Sequence, residues 1–246
     1  MDAIDYVLTD SANVPPGSER WFTERVVRLP AGRFCYAPPD DAPDVTPPPM
    51  SARGAVTFGS FNNLSKVTPA VIALWAKVVN AVPAARLVLK WRSLADARER
   101  HRLLVAFEAA GLAAARIELR PHAPHAAMLA EYGDLDIALD PFPFTGGLTS
   151  CEALWMGVPV VTLPETRSVS RQTLGLLAQL GLDDLAARDP AHYVAIAAGL
   201  AREPLRLAAL RATLRSRMAS SLCDATRFAR GLEAAYRDMW RGWCAR

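Results

Sequence analysis

Two glycines, a small polar pair and a carboxylate, in the order Gly146-Gly147-Leu148-Thr149-Ser150-Cys151-Glu152, hold the residues best suited to chemistry in this sequence. They follow an apolar run, Ile137-Ala138-Leu139, and a proline-rich turn, Asp140-Pro141-Phe142-Pro143-Phe144. A strand that turns through glycines into a helix start makes an anion site. The first amides of a helix have no partner inside it, its dipole favours negative charge, and glycines let a phosphate approach the backbone. Glu152, one turn into that helix, is placed to accept hydrogen bonds from sugar hydroxyls, as acidic residues do in nucleotide sites. A Gly-Gly pair also occurs in ordinary strand-turn-helix connections, so its meaning depends on what else reaches the same place.

Two other loops carry matching groups. Phe61-Asn62-Asn63-Leu64-Ser65-Lys66 supplies a cation at Lys66 and an amide donor at Asn63, both suited to phosphate oxygens. Pro121-His122-Ala123-Pro124-His125 offers exposed backbone and an imidazole to a base. His122 and His125 lack a third partner at metal-ligand spacing, so no zinc is expected. Thr149, Ser150 and Cys151 contain possible nucleophiles without the Gly-x-Ser-x-Gly elbow, which speaks against covalent catalysis.

These loops need strands to hold them. Short apolar runs at 56–60, 87–90, 117–119, 136–140 and 158–162 read as strands, with helices at 69–81, 94–111, 125–132 and 148–156 between them. The tail reads as helices at 169–180, 190–202, 204–219 and 225–242. In the last of these, Phe228, Leu232, Ala235, Tyr236 and Met239 make an apolar stripe expected to face the domain's own core. Alternation of this kind implies an α/β fold: a Rossmann-like parallel sheet with helices on both faces, which binds ligands beyond the carboxyl ends of its strands. Residues 1–50, dense in proline around Pro38-Pro39 and Pro47-Pro48-Pro49, read as a largely extended connector.

Composition narrows the class. In 246 residues, 51% are apolar, enough for a sizeable core, and the net charge of +3 requires neither nucleic acid nor an anionic membrane as partner. Four scattered cysteines, no apolar run of membrane-spanning length and an acidic N-terminus unlike a signal peptide point to a soluble protein of the cytoplasm.

Taken together, Thr57 through Lys66, the 121–125 loop and Leu139-Asp140-Pro141-Phe142 through Gly157-Val158-Pro159 resemble the O-linked N-acetylglucosamine transferase family, glycosyltransferase family 41, with its SPINDLY-like members. The resemblance runs from Asp5-Tyr6 to Trp240. It implies the C-terminal lobe of a two-lobed, GT-B type glycosyltransferase that works without a metal or other cofactor. Its donor would be UDP-N-acetylglucosamine, transferred with inversion to a serine or threonine of a protein. By the same resemblance Lys66, the candidate catalytic residue, and Asn63 are diphosphate ligands. Ala123 is the backbone contact to uracil. Gly146, Gly147, Leu148, Thr149 and Ser150 form the phosphate-binding helix start, and Glu152 is the ribose-binding carboxylate. The chain departs from the family at His125, where animal members have lysine, and at Met128, where a histidine commonly stacks on the base. Leu148 replaces a polar residue, and Glu165 a glycine.

In the family an acceptor lobe and a tetratricopeptide superhelix precede the segment matching Ile4-Asp5-Tyr6. The resemblance therefore divides the chain into the tail of the acceptor lobe plus connector (1–50), the nucleotide-sugar lobe (51–224) and a terminal helix that packs toward the other lobe (225–246). Transfer would then need a separate chain that carries the missing parts. A non-catalytic UDP-sugar-binding or interaction module is the alternative, and UDP-glucose the alternative donor.

Overall fold

The computed structural model describes residues 3–245. Two short strands, β1 (Tyr6–Thr9) and β2 (Arg25–Arg28), pair in parallel and stand apart from the main sheet. This corrects the extended reading of 1–50. The prolines at 15, 16 and 30 flank these two apolar runs without interrupting them, so both keep the amides a ladder needs.

After a single helical turn, α1 (Met50–Arg53), the main sheet begins. Its strands are β3 (Thr57–Ser60), β4 (Arg86–Lys90), β5 (Ile117–Arg120), β6 (Ile137–Leu139) and β7 (Val160–Val161). The helices are α2 (Pro69–Asn80), α3 (Ala97–Ala109), α4 (His125–Glu131), α5 (Leu148–Trp155), α6 (Gln172–Leu180), α7 (Pro190–Leu200), α8 (Pro204–Ala219) and α9 (Ala225–Cys244). Every pairing in the sheet is parallel and the order is β5-β4-β3-β6-β7, so the chain winds outward twice from β3. The winding reverses between β3 and β6. Loops leaving the carboxyl ends of those two neighbours diverge and leave a crevice between them, where such folds bind ligands.

The strands are apolar on both sides because helices cover both faces; Phe58, Leu87, Leu89 and Ile137 are fully buried. Local chemistry starts the helices where the pattern requires. Thr68, Asp96 and Asp189 accept hydrogen bonds from first-turn amides of α2, α3 and α7, and Pro69 and Pro190 sit where a helix has no use for an N–H. α2 packs on α7, and the buried Trp75 indole donates to the Tyr193 hydroxyl across that contact at 3.2 Å.

The 29–49 connector has no regular structure, yet it is fastened to the lobe. Tyr36 N–H donates to Leu222 O (2.9 Å), Arg215 to Pro43 O (2.6 Å), and Met50 N–H to the Asp136 carboxylate (3.0 Å). Helix α9 buries no residue completely. Its stripe of Phe228, Leu232, Ala235 and Met239 is half-buried, while Tyr236 and the stacked pair Trp240 and Trp243 are exposed. Ala235 and Met239 lie beside Tyr6, Val26 and Val27, so the stripe faces the β1–β2 pair and not the central core.

Arg211 closes this construction. Nearly fully buried on α8, its guanidinium donates to Thr46 O (2.5 Å), Leu135 O (2.5 Å) and Tyr132 O (3.3 Å), tying the connector to the turn before β6. Replacing it leaves Thr46 O and Leu135 O without that donor, while Tyr132 O keeps the Leu135 N–H (3.1 Å). Arg211→Met should therefore cost about 3 kcal/mol of stability by urea denaturation.

Candidate functional site

The crevice between β3 and β6 holds the cation identified in the sequence. Lys66 lies in a single turn of 3-10 helix after β3, and its ammonium reaches across to donate to Thr145 O at 3.0 Å in the loop after β6. It also donates to Asn62 Oδ1 at 3.4 Å and sits 4.3 Å from the centre of the Phe144 ring. Burial lowers its pKa, opposed by the nearby Asp140 charge. A partly desolvated ammonium gains from an anion that enters the crevice, because the attraction strengthens as water leaves.

Beside it is the start of α5. Gly147 occupies the N-cap position without a side chain to satisfy the first amides. A Cβ built there would meet nothing closer than Gln172 Oε1 at 3.5 Å, an ordinary contact, so internal packing does not demand this glycine. Gly146 differs: a Cβ there would collide with Ser150 Oγ and lie 3.0 Å from Asp140 Oδ1. The Gly146 N–H donates to Asp140 Oδ1 (2.7 Å), and Thr162 Oγ1 donates to Asp140 Oδ2 (2.7 Å). The Asp140 carboxylate thereby holds the glycine turn against the sheet.

The third loop forms the other wall. A cavity of about 400 Å³ is lined by Phe61, Trp91, Met128 and Leu148 as apolar surface and by Ala123, His125 and Glu152, among others. Glu152 is buried, and desolvation raises its pKa against the lowering effect of His125, whose Nε2 is 2.8 Å from Glu152 Oε1. Lys90, at the carboxyl end of β4, pairs with Glu131 (2.7 Å) and donates to Pro121 O (2.7 Å), which fixes the 121–125 loop over the cavity.

The chain is similar to known proteins in sequence and fold. The family model for glycosyl transferase family 41 matches residues 50–232. The chain belongs to glycosyltransferase family 41. Over 99% of its length it is 42% identical to a protein of Oryza sativa subsp. japonica named as a probable UDP-N-acetylglucosamine-peptide N-acetylglucosaminyltransferase SPINDLY, and 41% identical to its Arabidopsis thaliana counterpart. It spans about a quarter of those relatives, 26% and 27% of their lengths. A solved variant of the Thermobaculum terrenum O-GlcNAc transferase superposes with a TM-score of 0.92 at 43% identity, over all of this chain and 46% of that one. A sucrose-phosphate synthase from Thermosynechococcus elongatus, 14% identical with a TM-score of 0.66 over 96% of this chain and 59% of that one, shares the fold alone, that of GT-B glycosyltransferases.

In this family member, six of the residues singled out from sequence meet in one cavity: Ala123, His125, Met128, Leu148, Thr149 and Glu152. Lys66 is joined to it through Asn62, whose Oδ1 accepts from the Lys66 ammonium (3.4 Å) and from Thr149 Oγ1 (2.9 Å), and Gly146 and Gly147 directly precede Leu148 at its edge. Two side chains turn elsewhere. Asn63 Oδ1 caps its own turn by accepting from Ser65 N–H (3.0 Å), and Ser150 Oγ is buried against Thr173 Oγ1 (2.9 Å). The backbone of Ser150 still belongs to the open first turn of α5. Sequence reasoning passed over Asn62, Asp140, Lys90 and Phe144. Lys90 had a signal, a lysine ending the apolar run Leu87-Val88-Leu89. Asn62 had none, because two adjacent asparagines differ only in which way the turn points them. No helix among the described residues is long and apolar enough to cross a membrane.

The Asp140 carboxyl is raised to about 6 from 3.8, burial outweighing its hydrogen bonds and Lys66. The folded protein thus keeps a proton that the unfolded chain has already lost. The contribution to stability is full below pH 3.8 and disappears as pH rises through about 6. Urea denaturation should show wild type losing up to about 3 kcal/mol relative to Asp140→Asn between pH 4 and 7; parallel pH profiles would refute the assignment.

Proposed function

We propose that this chain is the donor-binding lobe of a UDP-N-acetylglucosamine-dependent protein O-glycosyltransferase, transferring the sugar with inversion to serine or threonine. One observation carries the reading: Lys66 converges on the uncapped start of α5, at the point where the strand order reverses. The activity for which the relatives are named supplies the donor and the acceptor class.

The geometry suits the chemistry. When the bond from the anomeric carbon to the diphosphate breaks, negative charge develops on the UDP oxygens. Lys66 and the amides of Leu148, Thr149 and Ser150 are donors already in place, in a partly dry crevice where they need little rearrangement. These groups serve as the electrophilic support, so no metal ion is required. The uracil occupies the apolar end of the cavity near Ala123 and Met128, and Glu152 accepts hydrogen bonds from ribose hydroxyls with His125 beside it. Asn63 acts indirectly, capping the turn that carries Lys66. The acceptor hydroxyl and its base come from the other lobe of the two-lobed fold. The compartment is the cytoplasm.

Calorimetry should give a UDP dissociation constant in the micromolar range, about −8 kcal/mol. Lys66→Ala should weaken it at least tenfold, and removing divalent ions with EDTA should leave it unchanged. Full affinity in Lys66→Ala would remove the site. Sugar transfer on mixing with a separately made acceptor lobe distinguishes a catalytic half from a binding module, whose signature is UDP affinity without transfer.

A further inference from the structure

A second cation reaches the phosphate end from outside the lobe's sheet. Arg33, in the connector after β2, donates from Nη2 to Gln172 Oε1 at 3.1 Å. That same oxygen lies 3.5 Å from where a Cβ on Gly147 would stand, so the guanidinium is two short steps from the open start of α5. Gln172 uses its other end to donate to Thr145 O (3.3 Å), the carbonyl that also receives Lys66. Arg33 and Lys66 therefore flank one helix start, borne by segments of the chain far apart in sequence.

The fold offsets Arg33's charge only in part, through the nearby Asp10 carboxylate. Among the described residues it makes no ion pair within 4.0 Å; Asp10 receives its backbone N–H (3.0 Å) and the Asn13 side chain instead. Its Nε is buried with no acceptor. Its guanidinium lies over the Phe34 ring at 4.6 Å, which holds the plane while leaving its edge for another group. A buried donor without an acceptor is costly unless some bound group supplies one, and phosphate oxygens suit a guanidinium fork. The Gly32 backbone before it is left-handed (φ 79) and a Cβ there would strike Gln179, so the turn that aims Arg33 has little freedom.

We infer that Arg33 is a substrate-binding residue for the diphosphate of the donor, contributed by the connector and gripping the side opposite Lys66. The inference rests on the donor-lobe reading above. It makes the connector part of the donor site, so fastening of this segment and diphosphate binding are coupled.

The test is calorimetric titration of the full chain with UDP and, separately, with uridine, which lacks the phosphates. Arg33→Met should weaken UDP at least tenfold and change uridine affinity less than twofold. Arg33→Lys, keeping stem and charge, should recover part of the loss, with thermal melting showing that both variants remain folded. UDP affinity within twofold of wild type in both variants, while Lys66→Ala loses it, would overturn the role of Arg33 and leave the donor site standing. Equal losses of UDP and uridine would overturn it too, showing a merely structural role. Absence of UDP binding by wild type would instead refute the donor-lobe reading itself.

Discussion

The Asp140 carboxylate is the contact on which the site depends. It directly follows β6, buried, where its own N–H donates to Val161 O (3.0 Å) and its carbonyl accepts from the Tyr193 hydroxyl (3.1 Å). One carboxylate oxygen takes the Gly146 N–H and the other the Thr162 hydroxyl. A carboxylate in this position stays buried only because donors surround it. The consequence is geometric. The turn 141–147 cannot swing away from the sheet, so the first amides of α5 face the crevice, and Thr145 O is held where Lys66 and Gln172 both reach it.

Around that anchor, charges are placed so that the crevice is receptive to an anion. Two buried carboxylates of the site are already engaged: Asp140 by the turn, and Glu152 by His125 in the cavity. The cations are desolvated: burial lowers the pKa of Lys66 and of Arg33. Fixed donors in a low-dielectric crevice act on a nearby negative charge with little reorganisation. The connector takes part as well, tied down by Arg211, Arg215 and the Tyr36 amide. Such fastening is unusual for a proline-rich spacer, and it is what allows the connector's Arg33 to reach Gln172 beside the start of α5.

Much of this was legible in the sequence. All five strands of the main sheet and the helices after them lie within a few residues of their expected places, because apolar runs, Asp and Thr caps and N1 prolines act locally. The differences fall where local signals compete. Helix α3 begins at Ala97 because Asp96 caps it there, and Ser168–Arg171 forms a 3-10 turn ahead of α6. The pairing of β1 with β2, and the turning of the α9 stripe toward them, came only with the structure, since the sequence marks an apolar face without saying what covers it.

By itself the sequence determined the α/β architecture, the glycine turn into α5 and the cation at Lys66, since each rests on residue types at fixed spacing, and its loops carried the resemblance to a glycosyltransferase family. The tertiary structure alone decided the strand order, the choice of Asn62 over Asn63 in the crevice, the burial of the Ser150 hydroxyl and the approach of Arg33. Those four depend on contacts between segments distant in the chain or on the direction a single side chain takes. Periodicity and spacing carry no information about either; only packing, in which each buried polar group must find its partner, selects among the possibilities.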